Sequence, residues 1–141
     1  MASLNYNSML TDVVTGNIDF DTNSFKVMLV SSGYTPDQDN HSKRSQVTNE
    51  ITNASGSAYA SGGAVTTVSV SQDNTNNRAE VTFSAVSWSG ASFTARAAVI
   101  YKNTGTPSTD NLVAYVDFGS DTTASNGTFQ VQFSTPLRFS N

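Results

Sequence analysis

The stretch Phe129-Gln130-Val131-Gln132-Phe133 alternates apolar and polar residues without a break. In an extended chain successive side chains point to opposite faces. This spacing therefore predicts a strand with one face in a core and the other in water. Val68-Ser69-Val70 and Val81-Thr82-Phe83 repeat the pattern. Phe25 to Val30, Ala97 to Tyr101 and Leu112 to Phe118 are more uniformly apolar, which predicts strands covered on both faces. Between these runs lie GSAYASGG, SQDNTNN, KNTGTPSTD and SDTTASNG. Each is a cluster of turn formers, because Gly and Asn tolerate positive φ and Asx side chains cap turns. Strands punctuated in this way predict an all-β fold, a jelly-roll-like β-sandwich of about seven to nine strands.

One segment departs from the two-residue period. Within Asn5 to Val14, Met9, Leu10, Val13 and Val14 share a helical face. Asn7 or Ser8 is placed to cap a short N-terminal helix, and Gly16 to stop it. Residues 1–16 thus read as a helix and arm. Asp37 to Ala60 shows no alternation and predicts a long loop excursion over 37–60. Loops of that length usually carry function or pack against a partner. The 141 residues suit one domain, with no internal repeat or linker.

Composition narrows the chemistry. The chain has no cysteine, which removes thiolate metal sites, disulfides and cysteine nucleophiles together. Charged residues make up 13% and the net charge is −4, a poor match to nucleic acid, which needs clustered cations. Lys43-Arg44 is the one adjacent basic pair. The N-terminal residues lack the basic and apolar regions of a signal peptide, and no apolar run reaches the ~18 residues of a membrane span. No nucleic-acid or membrane partner is expected.

The one histidine, His41, stands beside Asp37 and Asp39. A Ser-His-Asp hydrolase needs such a base next to an activated serine, but no G-x-S-x-G elbow occurs. The simpler reading is a histidine that fixes a loop by hydrogen bonding. Glu50 and Glu80 are the two glutamates, and Glu80 alternates with Val81 to point outward. Asp117 lies in an apolar run, where a carboxylate is costly unless paired. Arg96 is its natural partner, and a structural Arg96–Asp117 pair accounts for both.

Asp37-x-Asp39-x-His41 has the donors of a hard-cation site, but an EF-hand loop counted from Asp37 needs Gly and Glu where Ser42 and Thr48 stand. An irregular calcium site at Asp37 and Asp39 and an Asx turn after Pro36 both remain open. Asp73 to Asn77 reads as a hairpin tip. Trp88 fits a core or interface, or a platform on which a sugar stacks. The N-x-S/T triplets at Asn40, Asn53 and Asn126 are common in a chain rich in these residues. No catalytic residue, metal ligand or cofactor is expected.

Several blocks occur in one order along nearly the whole chain. They are GNIDFD from Gly16, FKVML from Phe25, and YTPD from Tyr34 followed by His41. YASGG from Tyr59, VSW from Val86, TAR from Thr94 and AVIYK from Ala98 come next. YVDFG from Tyr115 and Asn126-Gly127 complete the set. In this order they resemble a family of small tailed-bacteriophage structural proteins, whose members include head decoration, or cement, proteins with a jelly-roll fold. The resemblance implies a non-enzymatic virion protein on the outer surface of the phage head, made in the host cytoplasm. It implies the major capsid protein as partner, and self-association as a homodimer or homotrimer. Under that reading Leu4, Asn5, Tyr6, Asp37, Asp39, His41, Lys43 and Arg44 are the capsid or oligomer contact residues. The alternative is a tail- or fibre-associated adhesion module that binds carbohydrate through Trp88 and tyrosines at loop tips.

Overall fold

The computed structural model describes residues 3–52 and 58–141. The order of elements is β1 (Leu4–Asn5), α1 (Asn7–Val14), β2 (Phe25–Val30), a 3-10 turn at Arg44–Gln46, β3 (Ala64–Thr66) and β4 (Val68–Asp73). Then come β5 (Arg78–Phe83), β6 (Val86–Lys102), β7 (Leu112–Val131) and β8 (Leu137–Ser140). They form an all-β sandwich of two sheets, ordered β1-β7-β6-β2-β3 and β4-β5-β8, with every neighbouring pair antiparallel. The eight strands and one α-helix of the described residues match the architecture that the alternation predicts.

The uniformly apolar strands lie at the centre of the larger sheet, and the strand period divides their side chains between two cores. Phe25, Val27 and Leu29 of β2 face the sandwich interior with Val81, Phe83, Trp88 and Phe129. Met28 and Val30 face the other way and pack with Tyr6, Tyr34, Val99, Tyr101 and Tyr115. Each fully buried large side chain contributes about 1.5–3 kcal/mol, so neither face of this sheet can stay wet cheaply. The smaller sheet covers one face. The segment around Tyr34 and Val47, together with Tyr6, covers the other.

This arrangement corrects the reading of 37–60 as an excursion away from the sandwich. Its first part is a layer on the larger sheet, held there because β2, β6 and β7 are apolar on both sides. Residues 53–57, which include the Asn53 triplet and part of GSAYASGG, lie outside the described residues.

Two local expectations also change. Neither Asn7 nor Ser8 caps α1; Tyr6 precedes the helix without a side-chain cap, and the Asn7 N–H donates instead to the Gln38 carbonyl at 3.0 Å. A tertiary contact thus satisfies the free helix amide. Gly16 follows the helix at φ +80°, as its placement predicts. Of the apolar helix face, Met9 is buried and Val13 packs against the core, whereas Leu10 and Val14 are exposed.

The cluster SDTTASNG is not a turn. It lies within β7, which pairs with β6 from Leu112 to Val131. Its β-branched threonines suit extended backbone, and its turn formers sit where the ladder breaks register. Asn126, at φ +50°, has no partner between Ser125 and Gly127. Such an extra residue is a β-bulge, which bends a long strand without ending it. KNTGTPSTD and SQDNTNN do connect strands, and Asp73 to Asn77 forms the β4–β5 hairpin tip, where Asp73 Oδ1 accepts the Thr75 and Asn76 N–H groups.

Candidate functional site

The segment after β2 carries the one histidine. Pro36 is buried and starts a turn in which Asp37 Oδ1 accepts the N–H groups of Asp39 (3.1 Å) and Asn40 (3.0 Å). Asp37 Oδ2 accepts the Asn40 side-chain amide at 3.0 Å. These bonds, the side-chain one foremost, hold the Asp37 carboxyl below its ordinary pKa. Asp39 points elsewhere and accepts Asn7 Nδ2 at 2.8 Å, tying the turn to α1. The geometry is that of an Asx turn, and among the described residues no three or more His, Asp or Glu side chains are grouped to hold a metal ion.

His41 turns inward and stacks on Tyr34, with ring centroids 5.7 Å apart. Its Nδ1 accepts the Asp37 N–H at 3.2 Å, so that nitrogen carries no proton. The Tyr34 hydroxyl, 2.9 Å away, then donates to the same nitrogen and accepts from Tyr6 Oη, also at 2.9 Å. Burial is the main cause that raises the pKa of both phenols. The chain Tyr6 to Tyr34 to His41 joins the N-terminal segment, the sheet face and the loop. Replacing Tyr34 with Phe strands the buried Tyr6 hydroxyl and leaves His41 Nδ1 with the Asp37 N–H alone, and is expected to cost about 1–3 kcal/mol. A fall in the urea midpoint with unchanged slope checks this; an unchanged midpoint would show the hydroxyl to be idle.

The eight expected contact residues therefore occupy different environments. Leu4 and Asn5 pair with Tyr115 and Ala114 as an edge strand, and Asn5 and Asp39 are exposed. Tyr6 is fully buried, so its side chain is not a contact for a partner. Arg44 is also committed inward. Its guanidinium bonds Asp110 Oδ2 at 3.1 Å and lies over the Tyr101 ring at 5.1 Å. Lys43 bridges to Asn111, and its N–H donates to Gln46 Oε1 at 2.9 Å. Asp37 and His41 shape the loop as described.

Arg96 and Asp117 meet across β6 and β7, with Nε donating to Oδ1 at 2.9 Å. That bond is the leading cause that lowers the Asp117 pKa and raises that of Arg96, and the Gly119 N–H adds to the first. Arg96 occupies a register break, between Ala95 opposite Thr122 and Ala97 opposite Asp117. The pair ties the two strands together at this break.

Two polar centres were not singled out from the sequence. Asp110 is wholly buried, and its Oδ1 accepts the Thr104 N–H (2.6 Å) and hydroxyl (2.8 Å) while Arg44 binds Oδ2. Glu50 Oε2 accepts the Tyr59 hydroxyl and the Gly62 N–H, both at 2.6 Å. Burial above all, and then the Glu50 bond, raise the Tyr59 pKa. The one available signal was an acid in a turn-rich segment, which does not distinguish a buried anchor from a solvated one.

Trp88 is 5% exposed and packs on Tyr59 and Phe129. All five tyrosines are buried as well. The rings on which a carbohydrate-binding reading depends thus lie inside the protein. Where β6 pairs with the second half of β7, the exposed side chains are instead mostly hydroxyls and amides. Thr94 and Thr123, for example, share a hydrogen bond of 2.7 Å between the two strands. Comparison with protein-family models, with curated proteins and with solved structures found no match to this chain.

Proposed function

We propose that this chain is a non-enzymatic virion structural protein, a decoration or cement protein that binds the outside of a tailed-phage head. It bridges neighbouring major capsid subunits and associates with itself as a dimer or trimer. The observation that carries the reading is how the blocks of the family resemblance are used. Tyr34, His41, Gly62, Gly63, Trp88, Arg96 and Asp117 each hold one piece of chain against another. They make a rigid body, while much of the surface left to a partner is uncharged hydroxyl and amide. Such surfaces suit wet, hydrogen-bonded contacts. A protein that binds the assembled lattice and not free subunits stabilises the lattice by mass action.

The test is addition of the purified protein to emptied, expanded heads that lack it. Saturable, stoichiometric binding with a higher disruption temperature is the expected result. Heads that take up none at saturating protein would refute the proposal.

A further inference from the structure

An apolar groove lies open where α1 and the chain leading to β2 meet the small sheet. It has a volume of about 520 Å³ and is walled by Val13, Ile18, Phe20, Val70, Val81 and Phe139. Phe20 forms part of it and is anchored beneath by stacking on Phe25 at 5.1 Å. Val68 and Val70 lie on the same side of β4; Val68 packs on the core, but Val70 is 44% exposed in the groove. On α1 but outside the groove's lining, Val14 is 86% exposed and Leu10 50% exposed, one helical turn apart. Three of the four large exposed hydrophobic residues among those described thus lie on the elements that frame this groove.

The rim identifies the occupant. Asp19 and Asp21 border the groove, and no Lys or Arg lines it. Two copies of a chain with net charge −4, meeting at this face, would set acid against acid. A partner with an aliphatic side chain flanked by Lys or Arg fits both the walls and the rim.

We propose that this groove is the docking site for a basic, aliphatic-anchored segment of the major capsid protein. The inference rests on the decoration reading. Hydrophobic anchors in such grooves carry most of the binding energy, while the rim charges guide association and exclude wrong partners.

The experiment measures binding of the full-length protein to emptied, expanded heads for wild type, Val14→Lys, Val70→Lys and Asp21→Lys. Val14 is the most exposed of the four apolar residues and lies at a helix C-terminus, where a cation is well placed, so that variant keeps its fold. Circular dichroism checks each variant. Val70→Lys, in the groove wall, is expected to bind at least about tenfold more weakly, and Val14→Lys, on the helix that frames the groove, to lose less. Asp21→Lys is expected to weaken binding and flatten its salt dependence. Folded variants that bind like wild type overturn the docking site and leave the decoration reading standing. Wild-type protein that does not bind heads overturns both. A wild-type oligomer that Val70→Lys converts to monomer with head binding unchanged assigns the groove to a second copy, which also overturns the proposal.

Discussion

Gly63→Ala is expected to yield no folded protein. A Cβ at this position would lie 1.8 Å from the Val27 carbonyl oxygen and 2.6 Å from its carbon. These are backbone atoms of a central strand, and the next residue, Ala64, pairs with Val27 itself. The obstruction cannot be relieved by a rotamer change; β3 would have to leave β2. The backbone is also left-handed here, at φ +78°, which costs an L-residue roughly 1–2 kcal/mol before any clash. Together these exceed the about 4–5 kcal/mol that marks an exceptional single substitution. Gly16→Ala is the control. It has φ +80° but nothing within 4 Å of the added carbon, so about 1–2 kcal/mol is expected. Soluble yield and circular dichroism decide the matter. A Gly63→Ala protein with the melting temperature of Gly16→Ala would disprove the close approach of β3 to β2.

Arg44→Met should be the next most damaging change. It removes the one cation that pairs with Asp110 among the described residues, and the Asp110 side chain has no exposed surface. Breaking a buried pair on one side costs about 3–5 kcal/mol, because the remaining charge keeps only part of its support. Here that support is Thr104, which donates from its backbone and its hydroxyl. The same substitution loses the guanidinium above Tyr101. Adding Asp110→Asn to Arg44→Met should restore part of the loss, since no buried charge then remains. Urea unfolding of the four proteins in this cycle gives the coupling directly. Additive losses would mean that the two residues act separately. The damage is expected to spread, because Arg44 N–H also bonds the Asp110 carbonyl and Leu112 N–H the Ser42 carbonyl. The covering loop and the β6–β7 connection are tied together at this point.

Strand positions were the most legible part of the chain. Phe129 and Val131 are buried with Gln130 exposed between them, as alternation requires. Arg96 and Asp117 were also readable as a pair, because an acid inside an apolar run needs a cation. Leu10 and Val14 misled. The helical period says which residues share a face, not whether another element lies opposite. SDTTASNG misled for a related reason, because the residues that favour a turn also favour a bulge, and only pairing with β6 distinguishes the two.

The alternation by itself determined that the chain is all-β, because a two-residue period buries every second side chain only in extended strands; that these strands stack as two sheets was decided by the tertiary pairing. The uniformly apolar runs determined that some strands are covered twice. What covers them was decided only in three dimensions. His41 hydrogen-bonds Tyr34, Arg44 reaches Asp110 and Tyr59 reaches Glu50 across sequence separations of 7, 66 and 9 residues. No local rule links such partners. They are chosen by which faces the sheets leave uncovered, and that is a property of the assembled fold.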